Sequence, residues 1–181
     1  MRDKVLMRDA EPARGGFRQA MQRLAGTVCL VTVADEFQRW YGMAATSVVS
    51  VSLSPPSLLA CIDRRAATFE AIDRRMSFCV NILSHQHERH CDRFSRPGER
   101  EARFKFGEWK LHAGLPYLAD AQAAVFCDVA RKVDHGSHAV FIGNVKDVIA
   151  PFGVDEPLIY FNRGYLSRED YLSRENSLAL S

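Results

Sequence analysis

The sequence predicts a mainly β fold: a barrel of many short strands carrying a few short helices. Runs rich in β-branched and aromatic residues recur along the chain, at 27–34, 41–54, 58–62, 78–83, 121–133, 138–149 and 158–161. Turn-forming clusters separate several of them, notably Pro55-Pro56, Gly114-Leu115-Pro116 and Asp134-His135-Gly136-Ser137. No regular alternation of strand and helix patterns runs through the chain, which argues against a doubly wound parallel sheet.

Taken in order, residues 1–15 are polar and contain Pro12 and Gly15, so they are expected to form a mobile arm. One domain is expected over 16–166, with a tail over 167–181. Phe17, Ala20, Met21 and Leu24 recur at helical spacing, and Gly26 supplies a stop. Thr27 to Ala34 reads as a strand. In the stretch Tyr41 to Ser54, Val49, Val51 and Leu53 are expected on one face and Ser50, Ser52 and Ser54 on the other. Buried hydroxyls need hydrogen-bond partners, so a hydroxyl row is poor core filler. Its face meets either water, at a sheet edge, or a phosphorylated planar ligand.

LLACI, residues 58–62, reads as a buried strand ending in Asp63-Arg64-Arg65. A short helix follows over 68–75, with Phe69 and Ile72 inward. Asn81 then sits inside an apolar strand, where backbone, water or ligand must satisfy its amide. Ser84 is suited to cap a helix running to Phe94. A charged loop is expected over 95–103, and two long strands joined by 134–137. The hexamer at 165–170 recurs at 171–176, but two copies are too few for a repeat architecture.

The chain has 181 residues, 47% apolar and 25% charged, as an ordinary globule does. With 24 basic and 22 acidic side chains its net charge is +2, which does not point to nucleic acid or an anionic membrane as partner. No apolar run approaches the roughly 18 residues of a membrane span, and the N-terminus lacks a signal-peptide core. Five cysteines form no CxxC pair, and four lie in strand-like apolar runs; a reducing cytoplasm is the expected compartment.

The ordered set GMAATSVVSVSLSPPSLLACIDRRAATFEAI, FCVNIL, Phe126-Cys127, Gly136-Ser137-His138, Phe141-Ile142-Gly143 and PLIYFNRGY resembles the flavin reductase-like family. The resemblance spans about Phe17 to Leu166. It implies an FMN-binding split β-barrel and an oxidoreductase, similar to the reductase components of two-component monooxygenases. A hydride would pass from NADH or NADPH to FMN (or FAD), and reduced flavin would leave for a transient monooxygenase partner. A homodimer is implied as well. So are the site residues: His138 beside the nicotinamide, and Thr46, Ser47, Ser52, Asp63, Arg64, Thr68 and Asn81 on the flavin. Arg64 and the helix start at Thr68 suit a phosphate, and Asn81 the ring edge. The family carries an acidic residue where this chain has Ser137.

Bland readings stand beside these. Arg64 and Arg65 also read as a solvated strand end, Asn81 as a backbone clamp, and His138 as a turn residue. His85, His87, His90 and Cys91 lack the partners of a closed zinc site, and their segment reads as a solvated helix, so no metal is expected. Two rival functions remain open: a flavin-binding module without turnover, and a reductase holding flavin as a fixed prosthetic group.

Overall fold

The structure, a computed structural model, describes residues 10–95, 100–151 and 153–166. The chain forms two compact units, one over 27–158 and a smaller one from the segments flanking it. In chain order the principal elements are α1 (Ala10–Met21), β1 (Cys29–Ala34), β2 (Trp40–Ala45), β3 (Val48–Leu53), β4 (Pro56–Asp63), α2 (Ala67–Arg75) and β5 (Ser77–Ile82). There follow a 3-10 turn (His85–His87), α3 (Glu88–Ser95), α4 (Arg100–Arg103), β6 (Trp109–His112), β7 (Leu115–Leu118), β8 (Ala123–His135), β9 (His138–Ile149), β10 (Ile159–Phe161) and β11 (Gly164–Leu166).

Seven strands of the larger unit form one sheet in the order β2-β1-β5-β8-β9-β4-β3. Every neighbouring pair is antiparallel. This mainly β architecture with short helices is the one expected from the sequence. All six residues of β1 are buried, apolar but for Thr32. Ile62, Phe78, Phe126 and Phe141 pack with its Val31 and Val33 in the core, and α2 adds Ala71 and Ile72. The Phe69 and Phe141 rings lie 5.7 Å apart. Asp35 organises the β1–β2 turn: its carboxylate accepts from the Phe37 and Arg39 amides, the Arg39 guanidinium and the Tyr41 hydroxyl.

The Tyr41–Ser54 stretch departs from the expectation. It makes two strands, broken at Thr46 and Ser47, and a bulge in β3 breaks its alternation. Ser50 pairs with Leu58 and Ser52 with Ser57, with a register shift between. Adjacent residues of β4 point to opposite faces, so Ser50 and Ser52 do as well, and no continuous hydroxyl row exists. The valine side is not core either: Val49, Val51 and Leu53 are 56%, 49% and 91% exposed.

A second correction concerns 84–94, expected as a solvated helix. His87, His90, Cys91 and Phe94 are buried. Phe94 packs with Phe104 and Trp109 at ring distances of 5.1 and 5.4 Å, which supplies the apolar partners that local sequence does not reveal. Within the expected loop over 95–103, residues 100–103 are helical.

In the smaller unit, α1 begins at Ala10, ahead of the expected start at Phe17, and ends at Met21. The helix therefore covers part of the expected arm; residues 1–9 and the tail 167–181 lie outside the described residues. β10 and β11 form a hairpin in which Tyr160 faces Tyr165, turning through Asn162 and Arg163 at φ 47° and 70°. Asparagine tolerates that left-handed backbone better than most residues.

Gly143 marks the tightest approach of β9 to the core. A Cβ there would lie 2.7 Å from Cys127 Cβ and 2.8 Å from Phe78 Cζ. Gly143→Ala is therefore expected to lower unfolding stability by about 1–3 kcal/mol, the cost of overpacking, as measured by chemical denaturation; an unchanged midpoint would show that this contact relaxes freely.

Candidate active site

β4 and β9 pair from His138↔Asp63 to Asn144↔Ser57. On this ladder Leu58, Ala60, Ile62, Ala139 and Phe141 point into the core and are buried. The opposite face carries Leu59, Cys61, Val140 and Ile142, each half-buried, and ends in Asp63 and His138. That face is apolar through its middle rungs and polar at both ends, with Ser57 and Asn144 on the far rung.

Five polar residues meet at the Asp63 and His138 end. The Ser137 hydroxyl lies 2.8 Å from His138 Nδ1, leaving Nε2 as the outer nitrogen of an exposed ring. The Arg64 amide donates to the Ser137 carbonyl at 3.0 Å, tying the β8–β9 turn to the end of β4. Asp63 accepts from the Arg65 amide (2.9 Å), Nε (3.1 Å) and Nη2 (2.7 Å). These bonds from Arg65, with a smaller contribution from His138, hold the Asp63 carboxyl well below the usual carboxylate range. Arg65 is therefore a site-shaping residue that the sequence reading left without a role; its signal was the Asp-x-Arg spacing, which suits a side chain folding back on the turn.

Arg64 is exposed and close enough to Lys132 to oppose its charge. Lys132 itself is paired with Asp73 at 2.6 Å and lies 5.7 Å from the Phe69 ring. α2 starts three residues beyond Arg64, at Ala67; the Phe69 amide donates to the Ala66 carbonyl at 2.9 Å, while the Ala67 and Thr68 amides precede the first turn's internal bonds. Thr68 lies in that turn and is 3% exposed, so its side chain is not open to solvent. A cation beside a helix N-terminus suits a phosphate.

The other expected residues divide. Ser47 joins the site: its hydroxyl donates to the Cys61 carbonyl at 3.1 Å, and its carbonyl accepts from the Cys61 amide. Thr46 is exposed beside it. Ser52 does not join. It pairs with Ser57 at the far end of β4, about 20 Å from Asp63 at the rise of an extended strand, and its hydroxyl accepts from the Ser54 amide.

Asn81 is also corrected: it is the structural clamp of the two readings. It is fully buried. Its Nδ2 donates to the Leu30 carbonyl (3.0 Å) and Thr32 Oγ1 (3.1 Å), and its Oδ1 accepts from the Leu118 amide (2.8 Å). Both amide hydrogens are thus used within the fold, leaving no donor for a ligand.

His87 and His90 form a buried pair with rings 5.3 Å apart. His87 Nδ1 accepts from the Ser84 amide, and Nε2 lies 3.4 Å from Asp120 without hydrogen-bond geometry. Burial, with His87 alongside, lowers the His90 pKa. Among the described residues, no group of three or more His, Cys, Asp or Glu side chains is arranged to hold a metal ion.

The family model for the flavin reductase-like domain matches residues 21–168. The reductase component of an FADH2-dependent resorcinol hydroxylase from Rhizobium sp. is 39% identical over 151 residues, covering 82% of this chain and 84% of that protein. An NADH-dependent FMN reductase of Agrobacterium fabrum is 38% identical over 157 residues, covering 86% and 89%. The styrene monooxygenase flavin reductase of Pseudomonas putida S12 superposes with a TM-score of 0.76 at 26% identity, over 83% of this chain and 95% of that one.

Replacing Asn81 tests its reassignment. Asn81→Ala leaves the Leu118 amide and the Leu30 carbonyl without their side-chain partner, and is expected to cost about 2–4 kcal/mol of stability. Flavin affinity of the folded variant, measured by fluorescence titration, is expected to change less than about twofold. A tenfold loss of affinity at unchanged stability would restore Asn81 as a ligand.

Proposed function

The chain belongs to the flavin reductase-like family, and on that premise we propose that it is an NADH-dependent flavin reductase supplying reduced FMN or FAD to a partner monooxygenase. The observation that carries this reading is the meeting, at one end of the β4–β9 ladder, of a phosphate-type subsite and a histidine. Arg64 and the α2 amides fit the phosphate of a flavin nucleotide. The half-buried face of Leu59, Cys61, Val140 and Ile142 fits an apolar ring nearby. Similarity to an NADH-dependent FMN reductase and to the reductase component of an FADH2-dependent hydroxylase supports the pairing of NADH with FMN or FAD.

Bound flavin supplies the acceptor for the hydride of NADH. The chain's own residues bind and orient. Arg64 and the Ala67 and Thr68 amides hold the flavin phosphate. Ser47, fixed to Cys61, and Thr46 offer polar contacts beside β4. Ser137 holds Nδ1 of His138, directing Nε2 outward toward the nicotinamide. Hydride transfer moves no proton at His138, so its role is to position the ring within reacting distance.

We assign the catalytic domain to 10–166, because α1 runs from Ala10 through the expected boundary at 16. A homodimer is supported by edge strand β3, on which the large apolar side chains of Val49, Val51 and Leu53 are exposed. A cytoplasmic setting is supported by five free cysteines; among the described residues no helix is long and apolar enough to cross a membrane.

Three measurements test the reading. Purified protein is expected to oxidise NADH slowly alone and much faster with added FMN, yielding hydrogen peroxide in air; no oxidation with any flavin would refute the enzyme. Arg64→Ala is expected to weaken FMN binding by about 1.5 kcal/mol, the lower end for a charge-assisted bond because Arg64 is exposed. Riboflavin, lacking the phosphate, should be indifferent, and equal losses for both would make Arg64 a fold residue. His138→Ala is expected to slow reduction of bound FMN by NADH about 10–100-fold in stopped flow while FMN affinity holds. Parental rates in that variant would reduce His138 to a turn residue.

A further inference from the structure

Asp63 and His138 are Cα partners on the last rung of the β4–β9 ladder. Side chains of directly opposed residues rise from the same face, with Cβ atoms about 5 Å apart. Asp63 therefore faces the imidazole, and its carboxylate does not wander. Arg65 grips both oxygens with two guanidinium nitrogens and an amide. The two sides of that ion pair meet very different environments: the Asp63 side chain is 25% exposed and the Arg65 side chain 84% exposed. Water screens the guanidinium more than the carboxylate, so the less screened charge of the pair is the negative one. The depressed Asp63 carboxyl carries a small contribution from His138.

Other groups around the imidazole do not duplicate this. On the β8 side the opposed residue is His135, which has no carboxylate. Within the β8–β9 turn Ser137 holds Nδ1 as a neutral hydroxyl. Arg64 is joined to the Ser137 carbonyl through its backbone amide. Asp63 is thus the acidic side chain facing His138 across its ladder. A carboxylate in this position is also a poor flavin-phosphate ligand, since like charges repel.

We propose that Asp63, clamped by Arg65, is a positioning residue for His138 and not a flavin ligand. Ser137 sets one ring nitrogen while the fixed carboxylate sets the field around the ring, and together they hold the imidazole in the orientation that meets the nicotinamide. This inference rests on the reading of His138 as the residue beside the nicotinamide, and extends it to two residues that touch neither reactant.

A double-mutant cycle tests it. FMN-loaded parent, Asp63→Asn, His138→Ala and the double variant are reduced by NADH in stopped flow, and FMN affinity is measured for each. Asp63→Asn is nearly isosteric and is expected to lower the limiting rate about fivefold when His138 is present, the scale of coupling between contacting residues. In the His138→Ala background the same change is expected to alter the rate by less than about 1.5-fold, with FMN affinity constant throughout. Arg65→Gln, which releases the carboxylate without removing it, is expected to reproduce part of the loss, again only with His138 present. It also serves as the test if Asp63→Asn does not fold. Equal losses in both backgrounds, or a fall in FMN affinity with the limiting rate intact, would overturn the proposal. A His138→Ala protein as fast as the parent would instead overturn the assignment of His138, and this inference with it.

Discussion

Everything proposed for this chain depends on the register of the β4–β9 ladder. Seven rungs, from His138↔Asp63 to Asn144↔Ser57, set which side chains enter the core and which line the site. A slip of one residue would exchange the faces, bringing Phe141 to the surface and driving charged groups inward. Phe141, Ala139, Ala60 and Ile62 oppose that slip by being fully buried together. Gly143 reinforces it, because β9 can approach Phe78 and Cys127 closely only where no Cβ intervenes. The apolar core thus fixes the location of polar groups that contribute little to stability themselves.

Two polar side chains on long apolar strands show how burial divides roles. Asn81 sits where water and ligand cannot reach, and its amide joins β1, β5 and β7 through the Leu30 carbonyl, Thr32 and the Leu118 amide. Thr32 extends the network by donating to the Pro116 carbonyl at 2.6 Å. Such a network is stable because its members are satisfied together. His138 occupies a strand end instead, with one nitrogen committed to Ser137 and the other outward. The same logic separates Asp63, gripped by Arg65, from Arg64, whose side chain is exposed. Charge near a site does not assign a role until its partner is known.

The periodicities of the sequence determined the mainly β class, the long strands expected at 121–133 and 138–149 and found at Ala123–His135 and His138–Ile149, and the short helix after Arg65, because those signals are local. Ordered motifs identified the family, and with it flavin and nicotinamide, and pointed to His138 as a candidate. Tertiary structure alone decided the rest. Asn81 became a clamp because Leu118, 37 residues away, presents its amide there, and no local pattern encodes a partner at that separation. The hydroxyls of β3 were split between two faces by a bulge that exists only in the pairing with β4. His87 and His90, polar by sequence, are buried by aromatic partners such as Phe106, whose ring lies 4.6 Å from His90. Local sequence sets the chain's periodicity and chemistry, whereas burial, register and partner choice arise from long-range packing, and here these decide which polar residues serve the fold and which remain free for the site.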